Sequence, residues 1–317
     1  MKKRIAVFAL CLVALVSLLA VGCAAKQRFV TIATGGTAGT YFPLGGALAE
    51  IWNKNIKGMN ANATSTGASA ANIAMLKDGK VDVIFTQNDT AFYALNDLES
   101  MKGKAMPEIR GMASLYNETI QIVALANAKI KTVADLKGKR VSVGAAGSGT
   151  EANARQILEA AGLTYDDIKV QYLSFAESAS NLKDGNIDAA FNTAGQPTAA
   201  IQDLAASKKI SIVAIDGDVA SKLMQKWAFY TPEKIPGGTY QNVTDDVMTV
   251  SVKSMLACSA KADEKLVFDM LKTMFANGER LAASHKKGAD VQIATATDGM
   301  SIPLHPGAEK FYKENKK

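Results

Sequence analysis

Histidine and cysteine are nearly missing from this chain: two and three residues respectively among 317, alongside two tryptophans and seven prolines. His285 and His305 stand apart from each other and from any cysteine, so the sequence offers no metal-ligand spacing of His, Cys and carboxylates. His285, near a helix end, and His305, in a Pro-flanked turn, read as structural or solvated. Cys11 and Cys23 fall in an N-terminal segment, which leaves Cys258 alone in VSVKSMLACSA. No disulfide framework can form from one thiol, and the apolar surroundings make Cys258 a packed, inert residue. The phosphate-cradling patterns G-x-x-x-x-G-K-[ST] and G-x-G-x-x-G do not occur, and Ser148 lacks the G-x-S-x-G context of a nucleophile elbow. A basic cluster is lacking too. The lysines are spread evenly, and the pairs Lys286-Lys287 and Lys316-Lys317 read as solvated ends, which argues against nucleic acid as a partner.

What is present begins with MKKR and the uncharged run IAVFALCLVALVSLLAVG, long enough to raise a membrane span as a reading. Small residues then lead into Cys23 as Ala20-Val21-Gly22-Cys23, similar to the cleavage and lipidation box of bacterial lipoproteins, although Leu19 stands one place earlier than that box has its leucine. Residues 1–22 are therefore expected to be a lipoprotein signal peptide, with an uncleaved anchor or an ordinary signal peptide as alternatives. Cys23 would carry the lipid, and paired acyl chains hold a protein stably on a membrane. Loss of Lys2, Lys3 and Arg4 from the 36 basic residues, against 30 acidic ones, would cut the formal charge from +6 to +3.

The remainder repeats itself. LKDGKVDVIFTQ, Leu76–Gln87, returns as LKDGNIDAAFNT, Leu182–Thr193; each reads as a helix end, a glycine in left-handed conformation, and a buried strand. TIATGGTAGTYFPLGGAL, Thr31–Leu48, is matched by SVGAAGSGTEANARQIL, Ser142–Leu158: a short strand, a glycine-rich turn with Gly-Thr, and a helix. Two echoes at nearly one spacing predict two similar α/β units, and 317 residues with 48% hydrophobic content suffice for two cores.

In the first unit the pattern predicts strands at 29–33, 60–66 and 81–85 and helices at 43–53, from an N-cap at Ser69 to Lys77, and after a cap at Asp89. The extended runs 109–115 and 119–126, joined by Tyr116-Asn117-Glu118, read as the first crossing between units. The second unit predicts strands at 140–144, 170–173, 187–191 and 210–215, with helices from Glu151, after Ala176, and over 198–206. TPEKIPGGTY reads as an ordered loop, 248–252 as a return strand, 266–281 as one long amphipathic helix, and LHPGAEKFYKEN as a turn and short helix. Alternating β and α elements imply a mostly parallel sheet covered on both faces. The expected division is lobe 1 over 23–118, lobe 2 over 119–224, and a return to lobe 1 over 225–317.

Ligands of open α/β sheets bind beyond the carboxyl ends of the strands. Polar and small residues gather there in both halves: Gly36 to Tyr41, Thr66 to Ser69 and Gln87-Asn88-Asp89 in one, Gly147 to Thr150 and Asn192 to Gln196 in the other. Small residues admit a ligand to the backbone, and helix N-termini favour an anion. Tight-turn geometry is the plainer reading of any single glycine-rich loop. Arg155 could help hold an anion, but Glu151 at i, i+4 is an equally good partner.

These stretches together, TGGTAGTYFPLG, TGASAANIAMLKDGKVDVIFTQND, GAAGSGTEANARQILEAAGL, LKDGNIDAAFNTAGQPT and LHPGAEKFY, resemble the TAXI family, the solute receptors of TRAP-type transporters, over nearly the whole chain after Cys23. The resemblance implies a type II periplasmic-binding-protein fold, two α/β lobes joined by two crossover strands with a ligand cleft between them. It implies capture of a small carboxylate, such as a dicarboxylate, 2-oxoacid or acidic amino acid, and delivery to a TRAP-type permease. Matched loop by loop, the implied ligand residues are Thr37, Thr40, Tyr41, Ser69, Gln87, Ser148, Gly149, Thr150, Asn192, Gln196 and Pro197, with Tyr41 against the solute's carbon skeleton. No cofactor or metal is expected. An extracytoplasmic, lipid-anchored receptor is the leading function, and a receptor for an ABC importer is the alternative on the same fold. An enzyme with a covalent cofactor on Cys258 would want a cleft rich in arginine, whereas Arg28, Arg110, Arg140, Arg155 and Arg280 are scattered.

Overall fold

A computed structural model describes residues 27–315. The expected signal segment and Cys23 therefore lie outside the described residues. The chain opens with β1 (Arg28–Ala33), α1 (Tyr41–Asn55), β2 (Met59–Thr64), α2 (Ser69–Lys77), β3 (Val83–Gln87) and α3 (Asn88–Asn96). After the long β4 (Ile109–Leu125) the plan repeats as β5 (Arg140–Ser142), α4 (Gly149–Ala160), β6 (Lys169–Gln171), α5 (Phe175–Lys183), β7 (Ala189–Ala194) and α6 (Ala199–Ser207). The remainder is β8 (Ile210–Val213), α7 (Gly217–Lys226), β9 (Thr231–Ile235), β10 (Val247–Ser259), α8 (Glu264–Ala276), α9 (Gly278–Ser284) and α10 (Pro306–Asn315).

The repetition read in the sequence is also a repetition of pairing. β1 lies parallel between β2 and β3, and β5 lies parallel between β6 and β7. Each third strand then meets a long antiparallel strand: β3 meets β10, and β7 meets β4. β4 and β10 pair with each other from Ser251↔Thr119 to Ser259↔Ile109, so one two-stranded ribbon runs through both halves of the sheet. Its register shifts twice, between the partners of Lys253 and Met255 and between those of Leu256 and Ala257. Such bulges bend a strand and increase its twist. The glycine that ends the echoed helices is left-handed in both halves, Gly79 at φ 68° and Gly185 at φ 75°, as the sequence required.

Alternation along β3 sorts its side chains between two apolar layers. Ile84 joins a large cluster with Ile120, Val141 and Phe191, while Val83 and Phe85 face a second cluster with Trp52, Leu256 and Phe311. Trp52 is fully buried and its indole N–H donates to the Met270 carbonyl at 3.1 Å.

Three local expectations give way to the structure, and one helix is added. The crossing is one continuous seventeen-residue strand, because Asn117 and Glu118 pair with Lys253 and Val252 of β10 and Tyr116 lies in the bulge beside them. TPEKI forms β9 on β10, tolerating Pro232 because a one-sided strand leaves its missing donor outside the ladder. The helix expected over 266–281 breaks into α8 and α9 at Asn277, whose ψ of 36° leaves the helical region. α7 was not read in the sequence; its Ala220 and Leu223 are buried, and Val219 and Met224 pack beside them against the core.

Candidate functional site

One cavity, of about 580 Å³ with open solvent included, collects the loops that follow the strands of both halves. From the first half come Gly35, Gly36, Gly39, Thr40 and Tyr41 after β1, Thr66 to Ser69 after β2, and Gln87 at the end of β3. The second half supplies Ala145, Ser148, Gly149 and Thr150 after β5, Ser174 and Phe175 after β6, and Thr193 and Ala194 at the end of β7. Glu118 enters from the β4–β10 ribbon.

The two halves touch around this cavity. Ala70 and Ala71 in the first turn of α2 both donate to the Gly147 carbonyl, at 3.1 and 3.2 Å. Ala200 donates to the Ala38 carbonyl at 3.3 Å, and the Gly195 N–H donates to Thr40 Oγ1 at 3.0 Å. Gly149 packs against the Gln87 amide so closely that a Cβ there would lie 2.0 Å from Oε1. Gly147 takes φ 75°, a left-handed conformation that suits glycine, where its carbonyl reaches α2.

Anion binding at both helix starts, as the sequence suggested, is thus halved, because Gly147 already occupies the first N–H groups of α2. The start of α4 is different. Ser148 caps it by accepting from the Glu151 N–H at 3.1 Å, while the N–H groups of Gly149 and Thr150, which have no intrahelical acceptor by position, stand in the cavity wall.

Of the residues expected to touch ligand, Thr40, Tyr41, Ser69, Gln87, Ser148, Gly149 and Thr150 line the cavity, and four do not. Thr37 is exposed at the tip of the turn after β1. Asn192 is buried on the opposite face of β7 from Thr193, because successive side chains of a strand alternate; its amide donates to Ala190 O at 3.3 Å. Gln196 turns to β9, donating to the Lys234 carbonyl at 2.9 Å, and Pro197 follows it through a cis peptide bond. Ser69 is the first helical residue and not a cap: its Oγ accepts from the Gln87 N–H at 3.2 Å and so fixes the end of β3. Asp89 likewise lies inside α3 and outside the lining. Arg155 is held by Glu151 and stacks over the Tyr165 ring at 4.2 Å, so it takes the structural role.

Glu118 and Phe175 are cavity residues that sequence reading missed, while Thr193, within the stretch gathered at the strand ends, lines the cavity in place of Asn192. Glu118 is 2% exposed, accepting from Gln87 Nε2 at 3.1 Å and from the Tyr116 hydroxyl at 3.4 Å. Burial pushes its carboxyl up to about 8, and these donors only partly offset the lost hydration. Burial likewise drives the phenols of Tyr41 and Tyr116 well above their usual range, with Glu118 adding to the effect. Tyr41 rests its ring on Phe85, centroids 4.9 Å apart, and its hydroxyl has no hydrogen-bond partner. His285 supports the wall from behind. Its Nδ1 accepts from the Lys287 N–H at 3.0 Å, which leaves the proton on Nε2, 3.5 Å from Thr40 Oγ1, and burial holds its pKa below the ordinary value. Among the described residues no group of His, Cys, Asp and Glu could hold a metal ion. No described helix is long and apolar enough to cross a membrane.

Residues 32–315 match the NMT1-like family. Among solved structures, the alkanesulfonate-binding protein SsuA from Xanthomonas axonopodis pv. citri bound to MOPS is similar, with a TM-score of 0.53 and 17% identity over 92% of this chain and 85% of that one. A putative L-cystine ABC transporter from Listeria monocytogenes gives a TM-score of 0.51 and 20% identity over 84% of this chain and 98% of that one. PhnD1 from Prochlorococcus marinus in complex with methylphosphonate gives 0.54 and 10% over 83% and 88%. At these identities the likeness is one of fold, and it shows the α/β periplasmic-binding-protein architecture that the sequence led us to expect.

Proposed function

The chain belongs to the NMT1-like family, and on that premise we propose that it is an extracytoplasmic solute-binding receptor rather than an enzyme. It captures a small organic solute by closing its two halves, and hands it to a membrane permease. The observation that carries this reading is the cavity itself, built from the carboxyl ends of both sets of strands and bridged across by Thr40–Gly195 and Ala70–Gly147 contacts. A ligand touching both halves stabilises closure by its differential affinity for that state. The free N–H groups of Gly149 and Thr150 and the Ser148 hydroxyl suit a carboxylate. The working units are lobe 1 over residues 23–118, lobe 2 over 119–224 and the return over 225–317, with the chain anchored through lipid on Cys23.

An ABC-type importer is the partner that the solved neighbours favour, the Listeria protein being described as a putative ABC transporter. A TRAP-type permease is the second reading, favoured by the TAXI-like motifs TGGTAGTYFPLG and LKDGNIDAAFNTAGQPT. A gene for an ATPase beside the permease gene supports the first; a large multi-span permease gene without one supports the second.

The test is titration calorimetry on the full chain in detergent, unfolded and refolded to strip carried-over solute, against carboxylates, 2-oxoacids, amino acids and sulfonates. One-to-one binding to one class supports the receptor. Folded protein that is silent to every class, and from which no solute is extracted, overturns it.

A further inference from the structure

The acidic residue that lines the cavity has the wrong sign for a site built around anions alone. Glu118 lines it, and among the described residues no lysine, arginine or histidine does. None of the ion pairs among the described residues includes Glu118. The lysine packed nearest the rim, Lys287 against Gly195, is committed to Asp290 at 2.9 Å. A buried carboxyl without a counter-charge is costly to ionise, and such a group is retained where something pairs with it.

The atoms around it indicate what pairs. Gln87 Oε1, the Tyr41 hydroxyl and Thr193 Oγ1 have no hydrogen-bond partner, belong to residues no more than 7% exposed, and line the same cavity. A carboxylate offers about four lone-pair sites; Gln87 Nε2 and the Tyr116 hydroxyl donate to Glu118, and the Tyr41 hydroxyl stands beside it. Around a carboxyl that lacks a counter-charge the cavity thus sets an amide oxygen that can only accept and two hydroxyls that can turn their lone pairs inward. An alkylammonium is the complement, with three donors, no acceptor and one positive charge.

We propose that Glu118, with the Gln87 amide oxygen and the Tyr41 and Thr193 hydroxyls, forms a subsite for a protonated primary amine, so that the solute is amine-bearing and not a dicarboxylate. The inference rests on the receptor reading. With the amine at Glu118, the N–H groups at the start of α4 are left to receive a carboxylate at the other end of the same molecule.

Binding then moves a proton. In the empty cavity Glu118 is largely protonated at neutral pH; an arriving ammonium keeps its own proton and stabilises the Glu118 carboxylate, and the displaced proton goes to solvent. The titratable groups facing Glu118 are Tyr41 from α1, Tyr116 from its own strand and Asp89 from α3, while β3 presents Gln87 and β10 sets Val252 opposite. The two tyrosines stay neutral throughout, and the Asp89 charge opposes ionisation of Glu118.

The experiment titrates the stripped full chain at pH 7, in two buffers of different ionisation heat, with α-amino acids and with the des-amino acid matching each. Amine-bearing members are expected to bind with proton release, and their des-amino partners at least roughly tenfold more weakly. Glu118→Gln should weaken the amine-bearing ligand on the order of 100-fold and abolish proton release. Thr193→Val, which removes one acceptor and leaves Glu118 in place, should weaken binding by about tenfold and keep it. Equal or tighter binding of des-amino acids, binding without proton release, or an unchanged Glu118→Gln affinity overturns the amine subsite and leaves the receptor standing. Silence to both series from folded protein overturns the amine subsite, and the receptor reading falls with it only if the protein is also silent to 2-oxoacids and sulfonates and yields no extracted solute.

Discussion

The Asn153 side-chain amide donates to Asp89 Oδ2 at 2.9 Å and to the Tyr230 hydroxyl at 2.9 Å, tying α3 of the first half to α4 of the second. Tyr230 donates onward to Gln156 Oε1 at 2.5 Å, and Gln156 Nε2 donates to the Tyr93 hydroxyl at 3.1 Å. Every member is buried. This seam joins the halves away from the cavity, and its satisfied groups depend on the halves being together.

Replacing Asn153 with Ala should therefore cost about 1–3 kcal/mol, since it strands Asp89 and Tyr230 without their shared donor. Urea unfolding measures this. An unchanged midpoint would mean that water replaces the amide and that the seam contributes nothing to stability.

Stability of the empty protein should fall as pH rises. Asp89 is pushed up to about 6 from 3.8, and Glu118 to about 8 from 4.5, each mainly by burial. The folded state then holds more protons than the unfolded one between each pair of values, so stability is full below the lower value and is lost as pH passes the higher. Asp89→Asn should flatten the decline between about pH 4 and 6, and Glu118→Gln that between about 4.5 and 8. Thermal unfolding across pH 4–9 checks both, and a profile rising through this window would contradict the assignment.

Gln87→Ala should weaken solute binding by about tenfold, because it removes a cavity-facing amide, and should also lower stability by about 1 kcal/mol, because Glu118 loses a donor. Asn192→Ala should lower the unfolding midpoint while leaving affinity alone. Gly149→Ala should resemble Gln87→Ala, since its methyl would displace the Gln87 amide. Calorimetry beside denaturant unfolding separates the three.

The Cys258 thiol is 1% exposed and pushed up to about 12 by burial. In a chain with Cys11→Ser and Cys23→Ser, it should resist a thiol reagent while folded and react at once in denaturant. Cys258→Ser should leave solute affinity unchanged, contrary to what a cofactor attached there would require.

The repeated LKDG phrase carried more of the site than its first reading drew from it. Aligned residue for residue, Gln87 falls on Thr193 and Thr86 on Asn192; the first pair lines the cavity and the second does not. A strand's two-residue period makes register decide everything, and naming Asn192 chose the wrong face by one step. Glu118 was harder to find. It stands midway along β4, immediately before the apolar run 119–125, and the passage of β4 between loops distant in sequence makes it a cavity residue. An acidic residue flanking such a run was the available signal. The β9 strand was hidden by Pro232 and Pro236, whose loop signal is local, whereas the pairing with β10 that overrides it is not.

The shifted register of the β4–β10 ribbon has a mechanical consequence. If the halves open by flexing there, residues close to the pivot travel little while those on the rim travel far. Tyr116 and Glu118 sit beside the shift opposite Lys253 and Met255, whereas Ala38 and Gly147 lie out on the loops that meet across the gap. The inner wall then behaves as an anvil that keeps its shape in both positions, and the glycine-rich loops as the hammer that arrives later. A solute that engages the anvil before the stroke is met first by the Glu118 carboxyl and is then retained by the loops.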